Sequence, residues 1–290
     1  MKAIAVAGGK GGTGKTFVAV NLARLLSSRD KTLLVDADVE NPSTLFALPA
    51  EVKEVKQVES FKPLIDEAKC SKCGLCVKNC PEHALVMLVD KRILYFEDLC
   101  SGCEVCKLVC PSSAVNRGLR VEGLFKYGSY GESLDVVVGE LKPGIRRSGF
   151  MITRLIEEHR GLFEKYSYVV VDSPPGSGVG LLSVVKEADV VVAVSEPTPL
   201  GLNDLKKFLT LLERVEKRLK VILVVNKHGL PGGLERDLEE EASKRGLPVI
   251  AIPYSELVVK SYVERRPIVD LHPESQVSKG LVEVAKLVSS

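Results

Sequence analysis

All eight cysteines of the chain fall between Cys70 and Cys110, in two runs of identical spacing. Cys70-x2-Cys73-x2-Cys76-x3-Cys80 is followed by Pro81, and Cys100-x2-Cys103-x2-Cys106-x3-Cys110 by Pro111. Thiolates are soft ligands that suit zinc and iron–sulfur clusters. Zinc sites draw on separated pairs of cysteines, whereas three thiols in one loop and a fourth before a proline is the spacing that holds [4Fe–4S] clusters. Disulfides account poorly for cysteines this crowded in a chain that reads as cytoplasmic. In this spacing the fourth cysteine of each run ligates the other run's cluster. One cluster then takes Cys70, Cys73, Cys76 and Cys110, and the second takes Cys100, Cys103, Cys106 and Cys80. The runs repeat at a period of 30 residues, each supplying a cysteine loop and a short helix.

A second set of residues is suited to phosphate. Gly9-Lys10-Gly11-Gly12-Thr13-Gly14-Lys15-Thr16 fits G-x-x-x-x-G-K-[ST]. It follows the apolar run Lys2 to Ala7 and precedes a helical pattern from Lys15 to Ser28, the strand–loop–helix order this motif requires. Glycines permit left-handed backbone and close approach, so successive N–H groups can wrap phosphate at a helix N-terminus. Lys15 would reach the β and γ phosphates, and Thr16 would ligate Mg²⁺. Asp172 ends another apolar strand, the position of an acid that holds the Mg²⁺ hydration shell. Gly176, in the loop Ser173-Pro174-Pro175-Gly176-Ser177-Gly178, offers an N–H to the γ-phosphate. Asn226 ends a further strand and carries an amide suited to a base edge.

Positioning these residues calls for an α/β fold with a doubly wound, mostly parallel sheet. Strands are expected at Lys31 to Asp36, Leu119 to Tyr127, Leu134 to Val138, Tyr168 to Asp172, Asp189 to Val194, Lys220 to Asn226 and Pro248 to Pro253. Helical patterns over Arg147 to Tyr166 (interrupted by Gly161), Gly201 to Arg218, Gly233 to Arg245, Ser255 to Glu264 and Glu274 to Val288 alternate with them. Residues 50–60 fit neither period, because Val52, Val55 and Val58 recur at every third position; an exposed connector with room for a short strand is expected there. From about Phe61 to Gly118 cysteine, proline and short turns replace the long segments. The expected organisation is one domain from residues 1–60 and 119–290 with a small α+β insert over 61–118.

The net charge of +2 argues neither for nucleic acid nor for a strongly acidic partner. No apolar run approaches the ~20 residues needed to span a bilayer. The first residues run straight into the glycine loop, without a signal peptide's pattern. The expectation is a cytoplasmic protein, with the C-terminal helix packed on the core rather than anchored in a membrane. His83, His159, His228 and His272 show no ligand spacing.

Lys10 to Thr16 resembles the deviant Walker A loop of the MinD/ParA ATPases, with its extra lysine near the start. Asp36-Ala37-Asp38 and Asp172-Ser173-Pro174-Pro175-Gly176 are similar to that family's two switch regions, and Val224-Val225-Asn226-Lys227 to its adenine-side strand end. The resemblance implies a P-loop fold, ATP and Mg²⁺ as ligands, ATP hydrolysis, and a homodimer formed on ATP binding. It implies that Lys10 crosses the dimer interface to the partner's nucleotide, that Asp38 orients the attacking water, and that Asp36 supports Mg²⁺ or its loop. Phe17 stands where the family usually carries a second Thr or Ser, which puts the α-phosphate contact of that residue in doubt. The insert resembles two-cluster bacterial ferredoxins. The composite resembles MinD-like ATPases with an inserted ferredoxin domain.

Two functions suit that composite, and a third class stands behind them. The first is nucleotide-gated electron transfer to an unknown redox partner. The nitrogenase iron protein of this superfamily does this with cysteines on the ATPase body, and this chain has none there. The second is iron–sulfur cluster assembly or delivery to an acceptor protein. The Pro174 to Gly178 loop resembles that of the Mrp-type carriers, although their C-x2-C near the C-terminus is missing. The third is positioning in the manner of MinD or ParA, with the clusters as redox sensors.

Overall fold

Runs of Val, Ile, Leu and Ala favour buried strands, and helices between them cover both faces of the sheet that results. The computed structural model describes every residue except 177 and 232. The chain begins with β1 (Lys2–Ala7), α1 (Lys15–Ser27), β2 (Thr32–Asp36) and the single turn α2 (Thr44–Ala47). Next come β3 (Glu51–Ile65), α3 (Leu75–Lys78), β4 (Leu85–Met87), β5 (Ile93–Tyr95), a 3₁₀ turn at Glu97–Leu99 and α4 (Val105–Leu108). Two further strands, β6 (Val115–Tyr130) and β7 (Leu134–Leu141), lead to α5 (Ser148–Phe163), β8 (Tyr168–Asp172), α6 (Val179–Glu187) and β9 (Val190–Ser195). The chain closes with α7 (Pro199–Leu212), β10 (Lys220–His228), α8 (Glu235–Ser243), β11 (Val249–Pro253), α9 (Glu256–Val263), α10 (Ile268–Leu271) and α11 (Gln276–Ser289).

The main sheet has the order β11-β10-β9-β1-β8-β2-β7-β6-β3. Pairing is parallel from β11 through to β7. β1 lies between β8 and β9, so the chain winds one way from β1 to β2 and the other way from β9 to β11. Ligands of open α/β sheets bind outside the carboxyl ends of the strands at such a reversal.

Contacts divide the chain into two units, residues 1–56 with 125–140 and 148–290, and residues 57–124 with 141–147. The first has a core of Ile4, Val6, Leu22, Leu34, Val136, Val170, Val192, Ile222 and Ile252 among others. Val277, Leu281, Val284 and Val288 on α11 belong to that core. The second has a much smaller core of Phe61, Cys76, Leu85, Cys106 and Val115. No helix among the described residues is long and apolar enough to cross a membrane.

Three differences from the sequence-based expectations have physical causes. Residues 51–65 form one long strand, where an exposed connector with room for only a short strand is expected. β3 ends the sheet order, and residues 51–57 are exposed on both faces, so they carry no inside–outside alternation; Lys and Glu along such an edge also discourage pairing with other chains. Helix α5 runs through Gly161 without interruption. A mid-helix glycine costs about 1 kcal/mol, and α5 offsets this by burying Met151, Ile152, Leu155, Ile156 and Phe163. The second unit extends beyond 61–118, because β3 and β6 run on past both ends of the cysteine-rich stretch.

Candidate functional site

The loop between β1 and α1 is shaped by what its glycines must avoid. A Cβ on Gly9 would lie 2.5 Å from Cβ of Asp204. Gly14 caps α1 at φ 96°, and a Cβ there would lie 2.2 Å from Nδ2 of Asn226. Gly11 and Gly12 form the open rim, where a Cβ would meet nothing within 4 Å. Gly176 also has positive φ and open space around it; Ser177 beside it lies outside the described residues.

Behind this rim the ends of β2 and β8 bring three carboxylates to the start of α1. Thr16 Oγ1 donates to Asp172 Oδ2 at 2.5 Å and receives Ser43 Oγ at 3.2 Å. Asp172 Oδ1 is buried with no partner among the described residues. Burial, reinforced by neighbouring Asp36, pushes the Asp172 carboxyl well above its ordinary value. A buried acceptor held next to a threonine hydroxyl is a donor set that fits Mg²⁺, and a bound cation would reverse that shift. Asp36 accepts backbone N–H groups from Asp38, Ser43 and Thr44 at 3.0–3.1 Å, so it ties the loop after β2. Burial pushes its carboxyl up to about 6.

Lys15 is buried and donates to the carbonyl of Lys10 at 2.8 Å. Burial lowers its pKa, opposed by Asp172 and Asp38. Asp38 is half-buried, and burial raises its carboxyl while Lys15 pulls it down. Lys10 pairs with Glu196 Oε1 at 2.5 Å. Lys227 reaches Glu196 Oε2 at 2.8 Å and the carbonyl of Gly12 at 2.9 Å. Burial raises the Glu196 carboxyl, but the hydrogen bonds from Lys10 and Lys227 prevail and leave it lowered. Asn226 donates to the carbonyl of Thr13 at 2.8 Å, so its N–H side braces the loop.

In the second unit the thiols ring two small cavities. Cys70, Cys73, Cys76 and Cys110 line one, and Cys80, Cys100, Cys103 and Cys106 line the other. Each set joins three cysteines of one run to the last of the other. No three ligating groups among the described residues converge as on a single metal ion. The 30-residue repeat is also visible in the backbone. Left-handed residues recur at Lys72 and Gly102, Gly74 and Glu104, and His83 and Ser113. The N–H groups of Ala84 and Ala114 point at Cys80 and Cys110 sulfurs, at 3.3 and 3.2 Å. Ala84 O accepts from Phe96 N and Ala114 O from Asp66 N, both at 2.8 Å. Left-handed backbone at lysine, glutamate, histidine and serine is costly. Two sets of four thiols with N–H groups aimed at the sulfurs form a donor set that fits two iron–sulfur clusters.

The family described as the CobQ/CobB/MinD/ParA nucleotide-binding domain matches residues 4–268. This chain belongs to that family. An uncharacterized protein of Methanocaldococcus jannaschii is 30% identical over 238 residues, 79% of this chain and 81% of the relative. The iron–sulfur cluster carrier protein of Aquifex aeolicus is 26% identical over 306 aligned residues, covering 99% of this chain and 66% of the carrier. A 56-residue stretch, 19% of this chain, is 38% identical to 64% of the pyruvate synthase subunit PorD of Methanothermobacter marburgensis. Among solved structures, the septum site-determining protein MinD of Pyrococcus horikoshii in complex with Mg-ADP superposes with a TM-score of 0.62 at 18% identity, over 99% of this chain and 95% of MinD. The fold of the first unit is thus that of the MinD/ParA P-loop proteins.

In this CobQ/CobB/MinD/ParA domain a cavity of about 450 Å³ opens from the glycine loop, within the range of small-ligand sites. Gly12, Lys15, Thr16, Phe17, Asp38 and Asn226 line it, together with residues that sequence reasoning passed over: Tyr254, Val259 and Tyr262. The signal that points to Tyr254 is its place directly after the strand end Pro253, near the end of β10 where Asn226 lies. Tyr262 gives no sequence signal, since only the seating of α9 brings it to the cavity. Asp38 also lines a smaller adjoining cavity with Pro174 and Pro175, whereas Gly176 lines neither.

Proposed function

We propose that this protein is an ATPase that dimerises on binding ATP and uses its nucleotide state to gate electron transfer through two [4Fe–4S] clusters. The observation that carries the reading is the crosswise partition of the eight thiols into two sets of four. Cysteines 70, 73, 76 and 110 would hold one cluster, and cysteines 80, 100, 103 and 106 the other. When bound, each cluster would store and release one electron.

At the nucleotide face the residues already occupy positions from which small changes suffice. Lys15 would exchange the Lys10 carbonyl for phosphate oxygens. Thr16 and Asp172 would turn to Mg²⁺, and the otherwise unpartnered Asp172 oxygen motivates this assignment. Asp38 would hold the attacking water, with its half-burial raising the carboxyl's affinity for a proton. Lys10 would leave Glu196 for the nucleotide of a second copy, completing that copy's site. Gly176 would add an N–H to the γ-phosphate, and the oxygen of the Asn226 amide would face the base.

A second reading, cluster assembly or delivery, is favoured by relatives that carry the name iron–sulfur cluster carrier protein. Clusters ligated by four cysteines each are poor cargo, so gated redox work ranks first. The test is anaerobic. We expect the reduction potentials of the clusters to move when ATP is added, and an apo-acceptor protein incubated with the holo-protein to stay empty. Potentials that stay fixed while the acceptor gains cluster would transfer the assignment to the second reading.

A further inference from the structure

Helix α9 forms one wall of the cavity that opens from the glycine loop, and both of its ends are anchored. At its start Ser255 Oγ accepts the N–H of Leu257 at 3.2 Å. The N–H of Tyr254, just before it, donates to the carbonyl of His228 at 2.9 Å, two residues beyond Asn226. Past the other end Arg265 donates to the carbonyl of Leu45 on α2 at 3.0 Å. Ser43, immediately before α2, donates to Thr16 Oγ1. The helix therefore runs from the Asn226 end of the cavity to the Thr16 end. Val258 and Tyr262, four residues apart, share one helix face, and Tyr254 precedes them by the same interval; all three line the cavity. Tyr262 thus stands at the end where Thr16 meets Asp172. Loss of water around its ring, joined by the nearby Asp172 carboxylate, pushes the phenol up to about 12, which keeps it a donor at neutral pH.

Most donors of this cavity are already engaged within the fold. Lys15, Thr16, Ser43, Asn226 and Lys227 each donate to an acceptor of the chain itself. Between the two ends of the cavity Phe17, Val258 and Val259 bring no donor. The Tyr262 hydroxyl has no hydrogen-bond partner among the described residues, and the residue is 39% exposed, open to whatever fills the space.

Resting on the nucleotide reading above, we propose that the hydroxyl of Tyr262 donates a hydrogen bond to the α-phosphate of the bound nucleotide. Lys15, Thr16 and Mg²⁺ would serve the β and γ phosphates. The α-phosphate then falls on the stretch of wall where Phe17 leaves α1 without a side-chain donor. Tyr262 supplies that donor from α9, and a bond from a neutral hydroxyl to a charged oxygen is of the stronger kind. The contact is to a phosphate that hydrolysis leaves in place, so Tyr262 holds ADP as firmly as ATP.

The test is calorimetric, on the full-length holo-protein and its Tyr262→Phe variant. The ligands are ADP, AMPPNP and the two diastereomers of ADPαS, in which sulfur replaces one or the other free oxygen of the α-phosphate. The variant loses only a hydroxyl that bonds nothing in the fold, so thermal unfolding without nucleotide should be unchanged. Affinity for ADP and for AMPPNP should fall by the same factor, about tenfold. The wild type should bind one ADPαS diastereomer more weakly than the other, because sulfur is the poorer acceptor, and Tyr262→Phe should shrink that ratio by about threefold or more. A loss with AMPPNP alone would put the hydroxyl at the γ-phosphate and overturn the proposal. A loss with an unchanged diastereomer ratio would overturn it too, by placing the contact away from the α-phosphate. Equal affinities of wild type and variant for ADP would overturn it while leaving the nucleotide reading standing. Wild type that binds neither ADP nor AMPPNP would remove that reading and the proposal with it.

Discussion

At the nucleotide face Lys15, Thr16, Asp36 and Asn226 each hold a hydrogen-bond partner drawn from a neighbouring strand end or from the loops around it. Behind them lies a core drawn from seven parallel strands and from α1, α10 and α11. In the cysteine unit two of the five core residues are themselves cysteines, Cys76 and Cys106, and Lys72, His83, Glu104 and Ser113 sit in left-handed backbone. The first site is organised by the chain's own packing. The second has little to organise it apart from whatever its thiols hold. Small domains without a sufficient core are commonly completed by metal. The two sites should therefore respond very differently to the loss of their ligands.

The largest effect should come from removing iron. Anaerobic chelation of the holo-protein is expected to collapse amide exchange protection across residues 57–124 while nucleotide affinity changes less than about threefold, as separate units would allow. Protection that survives in the cysteine unit would erase the contrast. Next comes Lys10→Ala. Nucleotide binding should persist, but ATP-dependent dimerisation, followed by light scattering, should weaken at least a hundredfold, since two copies of a charged hydrogen bond of about 1.5–3 kcal/mol each are lost. An intact dimer would mean that the Lys10–Glu196 pair is the lysine's permanent state.

The smallest effect concerns pH. The Asp36 carboxyl is raised to about 6 in the folded chain, above an unfolded value near 3.9. The folded state then binds more protons than the unfolded one between those values, so this group's contribution to stability falls as pH rises through that window. The loss amounts to about 3 kcal/mol at most. Asp36→Asn should flatten the apo-protein's stability between about pH 4 and 6 relative to wild type in denaturant titrations, whereas an unchanged slope would place the titration elsewhere.

Much of this was readable from residue order. Each glycine-loop position and both carboxylates after β2 and β8 follow from strand–loop–helix grammar, because local spacing fixes where they emerge. The crosswise thiol sets follow from the spacing within each run, whose fourth cysteine closes the other run's site. The parts that escaped were set by tertiary contacts. Glu196 became the partner of Lys10 only through the parallel placement of β9 beside β1. Tyr262 entered the cavity through the seating of α9, which no periodicity announces. Residues 51–57 escaped for another reason: an edge strand exposed on both faces leaves no pattern to read.

The central claim is that the eight thiols form two four-cysteine cluster sites, each closed by the last cysteine of the other run. The direct measurement is EPR of reduced, iron-reconstituted Cys110→Ala beside Cys73→Ser and Cys103→Ser. The account predicts that Cys110→Ala perturbs the signal perturbed by Cys73→Ser and leaves the signal assigned by Cys103→Ser unchanged. Perturbation of the Cys103 signal instead would contradict it.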